Sequence, residues 1–210
     1  VELLVATRSA GKMREIRRIL DAVPGLRVVS LGDVGITYDP AEETLEPHDS
    51  FEANARSKAR YFMAKSGLAT VADDSGLEVD ALGGAPGVRT KRFAPVHDME
   101  GAALDEANNV HLVERLRNVA SERRGARYVC VAALSEPDRD PVTFWGEAPG
   151  VVLDEPRGRG GFGYDPLIFD PAVGKTFAEM SSAEKDARSH RGAAFRQLAA
   201  LLTQRVARGG

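Results

Sequence analysis

The chain reads as an α/β protein built on a mixed β-sheet, and three observations predict this. Short apolar runs alternate with amphipathic helical segments through the N-terminal part. Two strand-like runs, Ala126 to Leu134 and Val142 to Ala148, are joined by Ser135 to Pro141 as in a hairpin, so antiparallel pairs accompany parallel ones. A capped helical segment closes the chain. With 210 residues and 43% hydrophobic content, the chain can bury a full core, and residues 1–210 are expected to form a single domain.

Glu2 to Ala6 reads as a short buried strand. Ala10 to Val23 carries Met13, Ile16 and Leu20 at helical spacing, with Ile19 widening the stripe, and Pro24-Gly25 stops it. Leu26 to Leu31 is a second strand, and the polar, proline-containing stretch from Gly32 to Asp49 is expected to be a mobile functional loop. Ser50 or Asp49 can cap a helix from Phe51 to Ser66, which Gly67 ends. The strand Leu68 to Ala72 follows and places Asp73-Asp74 at a strand end, with Gly76 to Val79 resuming as strand. Ala81 to Pro95 is punctuated by Gly and Pro as a loop, and a helix is expected from about Asp98 to Val119. After the hairpin, Pro156 to Pro166 is a Gly-rich loop, and Ser181-Ser182-Ala183-Glu184 matches a capping box that opens one helix to about Arg205.

Composition excludes some classes of function. The 28 Lys and Arg residues against 31 Asp and Glu give a net charge of -3, so no global basic field supports a stable nucleic-acid partner. The single Cys130 excludes an intramolecular disulfide or a cysteine metal cluster and fits a reducing compartment. No apolar run approaches the roughly 20 residues of a membrane span. The expectation is a soluble cytoplasmic protein with no membrane partner. His48, His97 and His111 lack ligand-like spacing and read as surface or loop residues, Cys130 as a small core side chain, and Trp145 as core or interface.

Several segments could carry chemistry. Thr7-Arg8-Ser9-Ala10-Gly11-Lys12 spans a strand end and a helix start, where free N–H groups, the helix dipole and a lysine favour a phosphate. It is not a Walker A loop, because Met13 stands where Ser or Thr would hold magnesium, and an ordinary capped helix with a solvated lysine also fits it. Asp73 and Asp74 are adjacent and in extended backbone point to opposite faces, so one of them enters a given site. A carboxylate there can hold a divalent cation or position a water, although Asp-Asp-Ser-Gly is also a good turn. Glu42-Glu43 could add a second carboxylate, or simply decorate a solvated acidic loop; without a His/Cys cluster such a site favours magnesium over zinc. Phe162 and Tyr164 interleave with glycine on a loop where the backbone can approach a ligand and an aromatic can stack on a base, or where the rings are core. Lys185 and Ser189 share a helical face at i and i+4, with His190 and Arg191 immediately after.

In this order, the blocks Ala72-Asp73-Asp74-Ser75-Gly76-Leu77, Gly83-Gly84-Ala85-Pro86-Gly87, Gly161-Phe162-Gly163-Tyr164-Asp165-Pro166 and Ser189-His190-Arg191-Gly192 resemble the inosine/xanthosine triphosphate pyrophosphatase family. The similarity runs from Leu4 to Phe195. It implies an elongated mixed β-sheet with flanking helices forming two lobes around a central active-site cleft, in a homodimer. It also implies magnesium-dependent cleavage of ITP, dITP or XTP, aberrant purine nucleoside triphosphates, to the monophosphate and pyrophosphate. Carried onto these positions, Thr7, Arg8, Ser9, Ala10, Gly11, Lys12 and Lys185 would contact the triphosphate, with Glu15 nearby. Asp74 would be the catalytic base or a metal ligand, and Glu42 or Glu43 would hold the metal. Ser75, Phe162, Gly163, Tyr164 and Asp165 would line the nucleotide pocket, while His190 and Arg191 would read the 6-oxo edge of the purine.

The chain departs from that pattern at Ser9, where the family generally has Asn, in the longer stretch Thr44 to Ser50, and at Arg89-Thr90-Lys91-Arg92, which adds positive charge. Two other readings accompany the resemblance: a Maf-like pyrophosphatase acting on pyrimidine or modified nucleotides, and a non-catalytic nucleotide-binding module. The His190-Arg191 pair argues for purine, and Asp74 with an upstream Glu pair argues for catalysis.

Overall fold

The structure is a computed structural model that describes residues 1–209, with side chains through Ala207. In chain order, its strands are β1 (Glu2–Val5), β2 (Arg27–Ser30), β3 (Thr70–Val79), β4 (Gly125–Ser135), β5 (Val142–Val152), β6 (Ile168–Asp170) and β7 (Lys175–Thr176). Its α-helices are α1 (Ala10–Leu20), α2 (Phe51–Ser66), α3 (Gly101–Arg115), α4 (Ser182–Arg188) and α5 (His190–Gly209). The strands form one sheet in the order β2-β1-β3-β4-β5-β6-β7. β1 pairs parallel with β2 and β3, whereas β6 pairs antiparallel with β5 and β7, so the sheet is mixed. The chain divides into two compact units.

The first unit comprises residues 1–74, 130–146 and 190–210. Its core gathers Leu3 and Val5, Ile16 and Leu20, Val71, Cys130, Ala132 and Leu134, and Phe195, Leu198 and Leu202. The helical spacing of Ile16 and Leu20 turns one face of α1 onto this core and onto α5. Each fully buried leucine contributes about 1.5–3 kcal/mol relative to exposure. Ser50 caps α2 by accepting the Ala53 N–H at 3.3 Å, and Gly67 ends it in left-handed backbone at φ 71°.

The second unit comprises residues 75–129 and 147–189. Leu77, Val79, Leu112, Leu116, Tyr128, Leu167, Ile168 and Phe177 fill its core. Buried Arg124 donates to the carbonyls of Leu116 (3.0 Å) and Val119 (2.9 Å), collecting acceptors just beyond the C-terminus of α3, and also pairs with Asp154.

The structure corrects several expectations. Asp73 and Asp74 lie inside β3 rather than at a strand end, because their carboxylates find buried partners that outweigh the turn preference of Asp-Asp-Ser-Gly. The segment from Gly32 to Asp49 is not wholly loop. Pro40–Thr44 forms a 3-10 turn with a capping box between Asp39 and Glu42, and Lys65 ties Asp39 at 2.8 Å. The final helical pattern is two helices, broken at Ser189, whose extended backbone (ψ 154°) separates α4 from α5. α3 is shorter than the spacing predicts, the strands β6 and β7 are additional, and Trp145 is 46% exposed and therefore not core.

Candidate active site

The turn into α1 is shaped by its own hydroxyls. Thr7 Oγ1 accepts the Ser9 N–H at 3.1 Å, and Ser9 Oγ accepts the Lys12 N–H at 3.3 Å, so Ser9 serves as the helix cap. Ser9 is partly exposed, Ala10 is exposed and Gly11 is partly exposed. Lys12, one turn in, points inward and is buried, with Nζ 2.8 Å from Asp73 Oδ2.

Asp73 is one corner of a buried charge quartet. Arg191, only 2% exposed, places Nη1 2.5 Å from Glu15 Oε2 and Nε 3.5 Å from Asp73 Oδ2. Burial alone would raise the Asp73 carboxyl. The Lys12, Arg191 and Lys58 charges overcome this and hold it far below the usual carboxylate range. Burial works to lower the Arg191 pKa, yet the charges of Asp73 and Glu15 push it above its ordinary value. Two cations and two anions thus compensate one another, the condition under which buried charge is tolerated. His190, beside Arg191 at the start of α5, is buried as well. Gly146 of β5 makes this approach possible, since a Cβ there would run into the His190 carbonyl and the Ala194 nitrogen.

Asp74 points to the other face of β3. It is buried and accepts Asn54 Nδ2 at 3.0 Å; the same amide is fixed by the backbone of His48 on both its oxygen (2.9 Å) and nitrogen (3.0 Å). Burial, then the charge of Glu46, raises the Asp74 pKa above that of an ordinary aspartate, against the opposing pull of Lys58 and Lys12. Lys58 pairs with Glu46, and the charges of Glu46, Asp73 and Asp74 raise its pKa despite burial.

Glu42 and Glu43 are engaged elsewhere. Arg8 grips Glu42 with Nε and Nη2 at 3.0 and 2.7 Å, and donates to the carbonyls of Ile36 and Thr37 at 3.0 and 2.9 Å. Glu43 accepts the Tyr38 hydroxyl at 2.6 Å. Among the described residues, no group of three or more His, Cys, Asp or Glu forms a ready metal cage.

In the second unit, the Gly-rich loop is organised by Asp165. Its Oδ2 accepts Lys185 Nζ at 2.6 Å and the Phe162 N–H at 3.0 Å, and its Oδ1 accepts the Tyr128 hydroxyl at 3.1 Å. Gly161 (φ 72°) is required because a Cβ there would collide with that carboxylate. Lys185 Nζ stands 4.7 Å from the centre of the Phe162 ring, and the Tyr164 hydroxyl donates to the Thr90 carbonyl at 2.7 Å. Burial, then the charge of Asp105, pushes the Tyr164 phenol well above its ordinary pKa. Ser75, next to Asp74 on β3, is partly exposed.

Sequence reasoning singled out Lys12, Glu15 and Arg191, which the structure brings together around Asp73, and Phe162, Asp165 and Lys185, which it also brings together; Asp74, the carboxylate it assigned to the site, is held by Asn54 instead. It missed Asn54, Lys58, Glu46 and Tyr128. Asn54 and Lys58 stand at i and i+4 on α2, a shared face that was readable; nothing in the sequence marked Glu46.

A mixed α/β sheet with buried Lys12 one turn into α1 and buried Lys185 on α4 suits the class of protein that handles polyanionic ligands. The chain belongs to the Ham1 family, whose family model matches residues 3–201. It is 50% identical to the dITP/XTP pyrophosphatase of Mycolicibacterium paratuberculosis, over 99% of this chain and 98% of that protein. It is 47% identical to the dITP/XTP pyrophosphatase of Frankia alni, over 97% and 98%. Among solved structures, a HAM1 protein from Coxiella burnetii superposes with a TM-score of 0.83 at 33% identity, covering 97% of this chain and 99% of that one. The nucleoside-triphosphatase / dITP/XTP pyrophosphatase from Mycobacterium abscessus gives 0.71 at 42% identity, covering 96% and 99%.

Proposed function

We propose that this chain, acting as one functional domain and as a homodimer in the cytoplasm, hydrolyses dITP, ITP and XTP to the monophosphate and pyrophosphate, clearing deaminated purines from the nucleotide pool. Near-full-length identity to proteins named dITP/XTP pyrophosphatase supports the reading. The observation that carries the chemistry is Asp74, a buried carboxylate whose proton affinity burial and Glu46 have raised.

A water attacking the α-phosphorus forms a new P–O bond as the bond to the bridging oxygen breaks, and pyrophosphate leaves with that oxygen. The water must lose a proton, and Asp74 is the acceptor; its raised affinity moves it toward the range where a carboxylate serves as a base. Asn54 fixes the carboxylate by a hydrogen bond at 3.0 Å. Thr7 to Lys12 and Lys185 hold the triphosphate, with Lys12 and Lys185 turning from Asp73 and Asp165 toward phosphate oxygens. Ser75, Phe162, Gly163, Tyr164 and Asp165 receive the nucleoside, and His190 with Arg191 supplies donors to the 6-oxo edge. An adenine amino group would meet those donors instead of offering an acceptor, a mismatch worth about 1–3 kcal/mol per unpaired group.

The donor set suits a hard divalent cation, because the charge of Glu46 opposes that of Asp74 and a cation would relieve that opposition. Asp74 would hold magnesium with a carboxylate from the stretch 42–46. Glu42 or Glu43 takes that part by releasing Arg8 or Tyr38, whereas Glu46 already acts on Asp74. Magnesium, when bound, supplies charge neutralisation for the triphosphate. Identification of the products of dITP turnover tests the reaction. dIMP and pyrophosphate in equal amounts, abolished by a chelator, are expected; release of orthophosphate would refute cleavage at the α-β bond.

A further inference from the structure

The Gly163 backbone is held on both its N–H and its carbonyl by one helix. Asp105 Oδ2 accepts the Gly163 N–H at 2.8 Å, and Asn109 Nδ2 donates to the Gly163 carbonyl at 3.1 Å. Asp105 and Asn109 stand at i and i+4 on α3 and so share a face. The neighbouring Asn108 turns elsewhere and ties the end of the 3-10 turn Gly87–Arg92 to the segment after it, donating to the Lys91 carbonyl at 3.2 Å and accepting the Ala94 N–H at 2.8 Å.

Two features of the clamp point beyond folding. Gly163 sits at φ 62°, a backbone that disfavours side chains, and a Cβ built there meets nothing within 4 Å. The loop thus presents a bare, open face at the position between Phe162 and Tyr164, where a ligand can come against the backbone. Asn109 is 9% exposed, and its Oδ1 has no hydrogen-bond partner among the described residues. An orphaned buried acceptor works against stability, so the residue is explained by the amide donor it offers to Gly163 rather than by packing.

We infer that Asp105 and Asn109 are positioning residues that set nucleotide specificity by locking the Gly163 peptide, and with it Phe162 and Asp165. The inference rests on the functional reading above and deepens it by naming residues outside the motifs that fix the base-recognition loop. Neither side chain needs to touch the nucleotide. Their effect is pre-organisation: a loop already in its binding conformation loses less entropy when the fitting base docks, and a loop held in one conformation refits less readily to the wrong base.

The test pairs hydrogen exchange at the Gly163 amide with steady-state kinetics on the full chain. Asp105→Ala should speed exchange at Gly163 on the order of tenfold, raise KM for dITP more than it lowers kcat, and narrow the preference for dITP over ATP on the order of tenfold. Asp105→Asn keeps an acceptor oxygen and should restore most of both. Asn109→Ala should raise KM in the same way with little change in Tm, since it also removes the orphaned acceptor, and it carries the test should Asp105→Ala not fold. Unchanged exchange in Asp105→Ala overturns the clamp. Faster exchange with an unchanged dITP-to-ATP ratio overturns the specificity role, as does a loss of selectivity that Asp105→Asn does not restore. If the parent protein releases no pyrophosphate from dITP, the functional reading has failed and the specificity role with it, while exchange at Gly163 still decides the clamp.

Discussion

The Asp73 carboxylate lies 2.8 Å from the Lys12 ammonium, with both side chains almost wholly out of water. Asp73 also faces Arg191, so one carboxylate holds two buried cations that the functional reading assigns to substrate. On that reading, substrate binding would be an exchange of anions, with phosphate oxygens replacing Asp73 as the partner of Lys12.

Asp73→Asn removes that shared anion and leaves Lys12 and Arg191 undercompensated. Loss of about 3–5 kcal/mol is expected, read from denaturant midpoints. The pH dependence gives an independent check. The folded carboxyl is held far below its ordinary value, so its stabilisation is complete above the unfolded pKa near about 4 and is lost as pH falls toward the depressed folded value. In that acid window the parent should lose about 1.4 kcal/mol per pH unit from this group, and Asp73→Asn should lack that component. Parallel stability curves below about pH 4 would contradict the assignment.

Asp74→Asn keeps the side-chain shape and an oxygen for Asn54 to approach, but cannot take a proton. Turnover of dITP should fall by at least about a hundredfold with the fold retained by circular dichroism. Near-normal turnover would remove Asp74 from the mechanism.

Arg191→Ala deprives Glu15 and Asp73 of their common guanidinium. Stability should drop by a few kcal/mol, and the ratio of ITP to ATP turnover should fall more than ATP turnover itself. Equal losses on both nucleotides would limit Arg191 to holding its two carboxylates.

Gly146→Ala tests the packing that seats the start of α5. The added Cβ would meet backbone atoms of His190 and Ala194, which cannot swing aside as a side-chain tip can. Destabilisation of about 1–3 kcal/mol is expected, with reduced turnover because His190 and Arg191 shift. A neutral effect in both assays would show that α5 moves freely against β5.

Much of this was legible in the sequence where a local rule coincided with tertiary need. Ser50 and Gly67 bound α2 as cap rules require, and Ser181 with Glu184 forms the capping box of α4. The capping box of Asp39-Pro40-Ala41-Glu42 was equally readable and was passed over inside a stretch read as loop. The continuity of β3 through Asp73 and Asp74 was not readable, because it depends on Lys12, Arg191 and Asn54, which are remote in sequence. The break at Ser189 carries no Gly or Pro; its only local sign is a serine in front of an amphipathic run, the same residue type that caps α1. At the site, the motifs named the residues but not their partners, and Glu46 became visible only in the structure, through its ion pair with Lys58 and its electrostatic effect on Asp74.

Magnesium-dependent pyrophosphate release from dITP, XTP, ATP, GTP, dTTP and UTP under one set of conditions tests the central claim most directly. Rapid release from dITP and XTP with slow release from the other four is the result expected here. A preference for dTTP or UTP, or no release from any of the six, would contradict it.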